Sequence, residues 1–407
     1  MASKFDVATA RKAFPALAQQ QVYMDNAGGT QTLSSVADSI HTYLLSTNVQ
    51  LGATYPVSAT STRQYNEGYA AAAGYINADV NEVVLGGATT QLFANLATSL
   101  YSFFSPGDEI ILSLLDHEAN IGAWVRMAAL LKLSIVWWKG SYDTSKYNPV
   151  HAPDNLIPLL TPRTKFVACT HTSNILGSIH DIAALSKTIK THAPGALFCV
   201  DGVAYAPHRA VDVKALGVDF YCFSWYKVYG PHISMLYASS AAQKYMTSQG
   251  HYFKGAPETQ SLDTKLGHAG SSYELVASIP HIVSYLSPAK ETWDAIAAHE
   301  EELTKPIIEF LEKDKRVQIV GQPVADKELR VPVISFWVEG WKSEDVVLEV
   351  EKRSAYGFRW GHMYTHRLVE GLWGKGDDGA VRISLVHYNT LEEVQGLLKV
   401  LGEVLKA

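Results

Sequence analysis

The chain has 407 residues, which is enough for a large domain with a smaller one beside it. Hydrophobic residues make up 47% of the sequence and charged residues 18%, a globular composition with an ample core. The formal net charge of −6 gives no reason to expect nucleic acid or an anionic membrane as a partner.

The cysteines indicate the compartment. Cys169, Cys199 and Cys222 each lie in an apolar, strand-like run, so we expect buried thiols rather than disulfides or metal ligands. This fits a reducing environment. The first residues form no apolar signal region, and no apolar run reaches membrane-spanning length. The sequence therefore predicts a cytoplasmic protein that binds no metal ion, membrane or nucleic acid.

Short β-branched runs alternate with helical patterns between about residues 80 and 240. Several runs are apolar throughout, which is typical of strands whose two faces are covered by helices. The alternation predicts an α/β domain at residues 22–280 with a mostly parallel, seven-stranded sheet. Ligands of such sheets bind beyond the carboxyl ends of the strands. The predicted strands are 82–85, 109–112, 134–137, 165–168, 196–200, 219–223 and 234–237.

The pattern changes after residue 280. A long helical stretch is predicted at about 284–314, followed by strands at 317–320, 331–337 and 381–385 and a helix at 391–406. This indicates a smaller α+β domain at residues 281–407. The segment 1–21, with a helix near 7–18, is expected to pack on that domain, because the chain enters the large domain only at about Val22.

The segment 86–97 leads from a strand through small residues into an amphipathic helix. Ala88, Thr89 and Thr90 stand where that helix begins, and free N–H groups at a helix start bind phosphate, with threonine hydroxyls as further donors. A Thr-Thr pair is more often a plain helix cap, so both interpretations stay open. The segment lacks a Walker lysine and the glycine spacing of a dinucleotide fingerprint, which disfavours ATP and NAD.

Two polar segments follow the next strands. His117, in 116–120, can stack on a planar cofactor ring or act as acid or base, or it can be a surface histidine near a helix start. Asn174, in 170–177, can donate to a ring hydroxyl or a substrate carboxylate, or it can belong to a polar turn.

Lys227 and Asp201 follow two buried strands. Burial makes an ammonium costly and lowers its pKa, so the Lys227 amine can attack an aldehyde. An acid and a lysine at neighbouring strand ends suggest pyridoxal phosphate, because the lysine forms the Schiff base and the acid pairs with the pyridinium nitrogen. Ser224 and Tyr226 can donate to the phosphate. Taken singly, Asp201 is as well explained as a turn residue and Lys227 as a snorkelling lysine.

Arg382 lies on the predicted strand 381–385 and can hold a carboxylate through two parallel N–H bonds. For a single arginine, a surface salt bridge is more common. Five such sets in one order would need five coincidences, so we interpret them together as one site.

These segments resemble the class V aminotransferase family, whose best-known members are the cysteine desulfurases. The resemblance spans nearly the whole chain, and it implies an aspartate-aminotransferase-like fold and a homodimer with active sites at the subunit interface. It rests on the segments 25–29, 88–90, 116–120, 171–177, 200–202, 224–231 and 382–390.

The resemblance also implies a role for each matched residue. Lys227 would carry pyridoxal 5′-phosphate, Asp201 would bind the pyridine nitrogen, and His117 would stack on the ring. Asn174 and Arg382 would hold the substrate carboxylate. The phosphate would be surrounded by Ala88, Thr89, Thr90, Ser224, Tyr226 and, from the segment 267–272, Ser271. Asn26, in the first matched segment, is expected to contact the substrate.

Three positions depart from the family pattern. Tyr226 replaces the histidine that usually precedes the lysine. Ala204 replaces a glutamine or histidine near the ring hydroxyl, and alanine cannot make that contact. Tyr364 stands where a desulfurase has the mobile cysteine that accepts sulfur, and the chain has no cysteine after Cys222. A phenol with a pKa near 10 cannot replace a thiolate nucleophile, so we predict that no persulfide is formed.

Arg359, His362 and Tyr364 are instead expected to line the substrate pocket. The sequence thus predicts a pyridoxal-phosphate enzyme that acts on an α-amino acid through an external aldimine and a stabilised carbanion. Elimination, the reaction of a lyase, is the first expectation. Carbon–carbon bond formation or cyclisation, as in relatives from fungal alkaloid pathways such as loline biosynthesis, is the second. Transamination is the third, and a pseudoenzyme that keeps the cofactor is the remaining alternative.

Overall fold

The structure, a computed structural model, describes residues 5–141, 147–256, 259–286 and 289–406. Its central sheet has seven strands, of which six run in one direction and Ser234–Ala238 runs antiparallel to both neighbours. The predicted fold class is therefore confirmed, and each strand end lies within two residues of its predicted position. The spatial order is Val83–Gly86, Ser234–Ala238, Phe220–Ser224, Leu197–Asp201, Thr164–Thr170, Glu109–Ser113 and Ser134–Trp138.

Helices cover both faces of this sheet, and consecutive strand residues enter different cores. Phe198, for example, belongs to one apolar cluster, whereas Cys199 belongs to the cluster on the opposite face with Phe93 and Trp124. Because both faces are dry, the strands are apolar throughout and do not alternate with polar residues. The helices up to residue 286 are Val7–Arg11, Ser34–Ser46, Pro56–Tyr75, Thr89–Ser99, Ala119–Leu131, Pro153–Leu156, Ile182–His192, Val213–Leu216, Leu262–Leu266, Tyr273–Val276 and Ile279–Leu286.

A second sheet, with four antiparallel strands, lies in the C-terminal part of the chain. Its order is Arg359–Gly361, Ala380–Ser384, Val333–Val338 and Val317–Val320. The predicted strand 331–337 begins only at Val333, because Pro332 has no N–H to give to a ladder. Helices Lys290–Leu311, Ser343–Glu351 and Leu391–Val404 share the apolar core of this sheet, and a short helix spans His366–Val369. The domain limits 22–280 and 281–407 stay a prediction.

Two helical predictions need correction. The stretch 284–314 is not one helix in the described residues: one helix ends at Leu286 and the next begins at Lys290, while residues 287 and 288 lie outside the described part. Ala289, the N-cap of the second helix, has an extended backbone with φ −64° and ψ 134°, which a continuous helix does not allow. The predicted helix near 7–18 is a helix Val7–Arg11 and a separate 3-10 turn Pro15–Ala18.

The N-terminal segment contacts both parts of the chain. The ring of Phe14 lies 4.8 Å from that of Tyr388 and 5.7 Å from that of Tyr229. Arg11 Nη1 pairs with Glu393 at 2.7 Å. A two-residue strand, Val22–Tyr23, then pairs in parallel with Tyr356–Gly357. Within the described residues, no helix has the length and apolar character that crossing a membrane requires.

Candidate active site

A cavity of about 540 Å³ opens at the carboxyl ends of the central strands. Asp201, Ser224 and Thr170 are the last residues of three of these strands, and all three line it. The structure brings together nine of the predicted site residues in its lining: Ala88, Thr89, Thr90, His117, Asn174, Asp201, Ser224, Tyr226 and Lys227.

Lys227 and Asp201 form a buried pair of opposite chemistry. Lys227 ends a 3-10 turn, Trp225–Lys227, that directly follows a strand, and it is 7% exposed. Burial, with a smaller contribution from Arg382, lowers the pKa of Lys227 to about 8. Burial raises the pKa of Asp201 to about 6, although its Oδ1 accepts a bond from Val203 N at 2.9 Å. Near neutral pH the carboxylate is therefore mostly ionised, and a minor fraction of the amine is neutral.

A group of hydroxyls lies at the other end of the cavity. Thr89 begins the helix Thr89–Ser99, and its Oγ1 lies 2.7 Å from Ser224 Oγ. Ser224 Oγ lies in turn 2.7 Å from Ser234 Oγ. Ala88, at the N-cap position, makes no side-chain cap bond to the helix. Free helix N–H groups and two hydroxyls suit an anionic group such as phosphate.

His117 is a neutral, flat side chain on the cavity wall. Its Nδ1 accepts a hydrogen bond from Ala119 N at 3.1 Å, which leaves the ring proton on Nε2 in the neutral tautomer. Burial, followed by the charges of Lys227 and Arg382, lowers the pKa of His117 to about 3. The ring of Tyr364 lies 5.3 Å from it. An uncharged imidazole suits stacking on another ring better than it suits proton donation at neutral pH.

Asp116 is a residue whose role sequence reasoning missed. Its Oδ1 accepts from Thr170 N at 2.8 Å and its Oδ2 from Asn120 Nδ2 at 2.6 Å. Burial raises the pKa of Asp116 to about 7. Asp116 therefore ties the segment that carries His117 to the end of a neighbouring strand. The only signal in the sequence was its position before His117, which fits a helix cap equally well.

Arg382 is bonded to Asn174, which lines the cavity, but Arg382 itself is not among the lining residues. Asn174 Nδ2 donates to Met363 O at 2.9 Å and its Oδ1 accepts from Thr365 Oγ1 at 2.8 Å, so the amide is held by protein groups. Arg382 is 2% exposed, and its Nη1 donates to Asn174 O at 3.1 Å. Arg382 Nε is buried without a hydrogen-bond partner. The Nε–H of Arg382 thus bonds to no protein group among the described residues.

Asp25 joins the two arginines of the predicted site. Its Oδ1 pairs with Arg382 Nη2 at 2.8 Å, and its Oδ2 pairs with Arg359 Nη2 at 2.5 Å. In the sequence, Asp25 is marked only by its place in the segment 25–29. The contact joins residues more than 330 positions apart, so no local pattern reveals it.

The segment with Tyr364 lies outside the cavity lining. Tyr364 is 66% exposed and has a left-handed backbone with φ 60°, which is uncommon for a bulky residue. Its carbonyl accepts from Glu118 N at 2.8 Å, which fixes it beside His117. His362 Nδ1 accepts from Tyr364 N at 3.1 Å, and Asp377 lies 3.9 Å from His362 Nε2.

Asn26 is not among the cavity-lining residues. Its Nδ2 donates to the carbonyls of Tyr23 at 3.1 Å and Ser384 at 3.0 Å, and its Oδ1 accepts from the hydroxyl of Tyr388. These bonds engage both ends of the amide. In this structure Asn26 holds chain segments together, and its predicted contact with substrate stays a prediction.

Ser271 also lies apart from the cavity. Its Oγ is 3.2 Å from the hydroxyl of Tyr65, beside a different surface depression. Tyr226, by contrast, lines the cavity and stacks on His232 with ring centres 4.8 Å apart and nearly parallel planes. Within this chain, the phosphate end of the cavity is therefore built without Ser271.

The donor set fits pyridoxal 5′-phosphate. The cavity offers a buried primary amine for the aldehyde, a carboxylate for the ring nitrogen, a neutral aromatic ring, and hydroxyls at a helix start for the phosphate. Each of these four features matches one part of the cofactor: the aldehyde, the ring nitrogen, the ring itself and the phosphate.

Comparison with known proteins agrees with this geometry. The aminotransferase-like protein FGM3 of Gibberella zeae is 50% identical, and the match covers 99% of each chain. The cysteine desulfurase-like protein ustD of Aspergillus flavus is 39% identical over 98% of this chain and 90% of its own. The apo structure of a cysteine desulfurase from Thermococcus onnurineus NA1 is 27% identical, with a TM-score of 0.85 over 100% of both chains. Because the family model for aminotransferase class V matches residues 22–397, this chain belongs to the class V aminotransferase family.

Proposed function

We propose that this pyridoxal-phosphate-dependent protein acts on an α-amino acid, and that its reaction is an elimination rather than sulfur transfer from cysteine. The observation that carries the proposal is a buried lysine with a pKa of about 8 in one cavity with a buried aspartate. When bound, the cofactor supplies an electron sink for negative charge at the substrate Cα. The remaining chemistry falls to the side chains of the cavity.

The cofactor is held by groups at both ends of the cavity. The hydroxyls of Thr89 and Ser224 would donate to the phosphate together with the N–H groups of the helix that starts at Thr89. The Asp201 carboxylate would hold a proton on the ring nitrogen, and neutral His117 would stack on the ring. Ala88 N, Thr90 and Tyr226, which also line the cavity, would be further donors to the phosphate.

The substrate is held by its carboxylate, which Arg382 binds through the Nε–H that no protein group uses. Lys227 Nζ takes the proton from Cα, because an amine with a pKa of about 8 is partly unprotonated at neutral pH. Arg359, whose side chain is 46% exposed, stands beside Arg382 on the same Asp25 and faces the entering substrate together with His362 and Tyr364.

The position of the cysteines supports chemistry other than desulfuration. Cys169, Cys199 and Cys222 lie in strands of the central sheet and are fully buried. Burial raises the pKa of each thiol well above its usual value, so none is a ready nucleophile. Tyr364, at the position that sequence analysis assigns to the sulfur acceptor, is exposed and carries no thiol.

Amino transfer is the second candidate, and the relative with 50% identity favours it because it is described as aminotransferase-like. The two reactions differ in stoichiometry. An elimination releases ammonia and a keto acid without an acceptor, whereas amino transfer requires one keto acid for each amino acid consumed.

A panel of amino acids tests the proposal. The purified holoprotein is incubated with each amino acid in deuterated buffer, and exchange at Cα is followed by proton NMR, with Lys227→Ala as the control that lacks the base. We expect exchange for a small subset of amino acids and ammonia release without an added keto acid. No exchange with any amino acid would refute an amino-acid substrate, and turnover only with a keto acid would establish amino transfer.

Cysteine as substrate gives a separate test of the sulfur argument. We expect neither sustained alanine release nor protein-bound sulfur after incubation with cysteine, because no accessible thiolate exists to accept it. Continued alanine formation together with a protein persulfide, detected by mass spectrometry, would contradict this part of the proposal.

We also propose a homodimer in which the Ser271 segment of one subunit approaches the phosphate site of the other. Two features support this: Ser271 lies away from the cavity of its own chain, and Tyr252 and Phe253 expose large apolar surfaces near the same depression. Light scattering measures the mass in solution. Mixing Lys227→Ala with Ser271→Trp then tests sharing, because mixed dimers regain activity only if each site uses both subunits.

A further inference from the structure

One buried polar atom in the cavity wall is not explained by the protein alone. Thr172 is 1% exposed and lines the cavity, and its Oγ1 is buried without a hydrogen-bond partner. Among the described residues, no other cavity-lining residue has a buried side-chain oxygen or nitrogen in this condition. A buried hydroxyl without a partner is unfavourable, so a group that binds in the cavity is the natural acceptor for it.

The backbone fixes where this hydroxyl can act. Thr172 pairs with Ile179 in an isolated antiparallel bridge, and its carbonyl accepts from Thr170 Oγ1 at 2.7 Å. The segment is therefore held on both sides, and the side chain stays at the cavity wall. Burial of a hydroxyl without a partner costs free energy that a valine would avoid, so packing alone gives no reason for a hydroxyl.

Thr172 lies in the chain between Thr170, which contacts Asp201, and Asn174, which is bonded to Arg382. Thr170 Oγ1 lies 3.2 Å from Asp201 O, and Asn174 O accepts from Arg382 Nη1. The residues 170, 172 and 174 all line the cavity. Thr172 thus lies along the wall between the acid for the ring nitrogen and the arginine for the substrate.

The covalent structure of pyridoxal phosphate indicates which edge of the cofactor would lie against the wall that carries Thr172. The ring nitrogen and the aldehyde carbon are opposite each other, and the hydroxyl and the phosphate arm lie on the two different edges between them. With Asp201 at the nitrogen and Thr89 and Ser224 at the phosphate, the hydroxyl edge faces away from those hydroxyls. Thr172, Asn174 and Ala204 line the same cavity and are not among the groups assigned to the nitrogen or the phosphate.

Only one of these three has an uncommitted hydroxyl. Ala204 ends in a methyl group, and the Asn174 amide is engaged by Met363 and Thr365. We propose that Thr172 is a cofactor-binding residue whose hydroxyl donates a hydrogen bond to the ring oxygen of pyridoxal phosphate. It supplies the contact that Ala204 cannot make. The inference rests on the cofactor and is independent of whether the reaction is an elimination or an amino transfer.

The hydrogen bond has a spectroscopic consequence. A donor at the ring oxygen draws electron density from it and weakens its hold on the proton that it shares with the Lys227 nitrogen. Removal of the donor should therefore raise the pH midpoint of the visible band of the Lys227-bound cofactor.

The test compares Thr172→Val and Thr172→Ser with the unchanged protein. Each is loaded with pyridoxal phosphate or with its 3-deoxy analogue, and the dissociation constants are measured by equilibrium dialysis. For Thr172→Val we expect about tenfold weaker binding of pyridoxal phosphate, in the range of one hydrogen bond, and an unchanged affinity for the analogue. Thr172→Ser should keep the affinity for both and the original pH midpoint.

The preference between the two ligands decides the outcome. If Thr172→Val keeps the preference of the unchanged protein for pyridoxal phosphate over the analogue, or leaves the pH midpoint in place, the assignment is wrong. Equal weakening of both ligands also overturns it, because that result indicates a changed cavity shape. Unfolding temperatures of the cofactor-free proteins control for folding, and valine should not lower them because the replaced hydroxyl has no protein partner.

Discussion

Two groups of proposed site residues, the floor and the mouth, differ in burial and in the elements that carry them. The floor comprises Thr89, Asp201, Ser224 and Lys227, which stand at the ends of buried strands or at a helix start. The mouth comprises Arg359, His362 and Tyr364, the residues proposed to contact substrate. They are partly or largely exposed, do not line the cavity itself, and lie on or just after the short edge strand Arg359–Gly361. Rigid elements fix geometry better than loops do. The comparison indicates that the floor determines cofactor chemistry, whereas the mouth adjusts which substrate reaches it.

The largest effect should follow a change in the floor. Lys227→Ala removes both the amine that binds the cofactor and the base for Cα, so we expect turnover to fall by at least about 10³-fold. The visible absorbance band of the bound cofactor should disappear with it. Lys187→Ala, a change of an exposed helix lysine, is the matched control and should leave both unchanged. Residual turnover near the original level would remove Lys227 from the mechanism.

Arg382 pairs with the same Asp25 as Arg359 does, and its loss should have the next largest effect. Arg382→Ala removes charged hydrogen bonds to the substrate carboxylate, so kcat/KM should fall by roughly tenfold to a hundredfold. The cofactor content should stay the same. Arg382→Lys keeps the charge but not the paired N–H geometry and should recover only part of the loss. Unchanged turnover of Arg382→Ala would show that another group binds the carboxylate.

The buried Asp201 carboxylate should lower the stability of the cofactor-free protein, which is the third expected effect. In the cofactor-free protein its folded pKa of about 6 lies above the usual value of 3.8, so its contribution to stability falls as pH rises between about 4 and 6. Above that window, Asp201→Asn should unfold at a higher urea concentration. Its free energy of unfolding should be greater by as much as about 3 kcal/mol, because asparagine places no charge in the core. At pH 4 the two proteins should have the same free energy of unfolding. The substitution Asp201→Asn should abolish activity. A stability difference independent of pH would contradict this explanation.

Changes at the mouth should be the smallest. Arg359 is half exposed, and its pair with Asp25 is screened by solvent, so Arg359→Ala should cost little stability. We expect KM to rise by about tenfold or less, with kcat and cofactor affinity nearly unchanged. Steady-state kinetics over the substrate panel provide the measurement. A large loss of kcat or of bound cofactor would place Arg359 in the floor and end the distinction between the two regions.

The same division explains what could be predicted from the sequence. The floor was predictable because parallel strands bring their carboxyl ends together, and a residue that follows a buried run is marked by that run. Lys227, Asp201 and Thr89 each follow a local pattern, but each pattern taken singly also has a structural explanation, and only their order along the chain favours one site. All seven strands of the central sheet were predictable for the same reason, since apolar runs between helical patterns are local features.

The rest depends on contacts between distant segments. Asp25 joins Arg359 and Arg382 across more than 330 residues, and Asn26 is engaged by residues from the C-terminal part of the chain. Whether a polar side chain is already bonded, as Asn174 is, or free, as Thr172 is, follows only from the packed structure. Local sequence patterns do not show which distant side chains bond to each other. The break in the helix before Lys290 was missed because the apolar periodicity of the sequence outweighed Pro288.

The three cysteines give the sheet a natural reporter. Cys169, Cys199 and Cys222 lie on neighbouring strands beneath the cavity, and no reagent can reach their sulfur atoms while the sheet is closed. The rate of thiol alkylation in native buffer therefore measures how often the sheet opens, much as amide exchange does. Because cofactor binding stabilises the closed form, saturation with cofactor should slow this labelling in proportion to its affinity. The chain thus carries its own unperturbed probe of cofactor binding, with no label to be introduced.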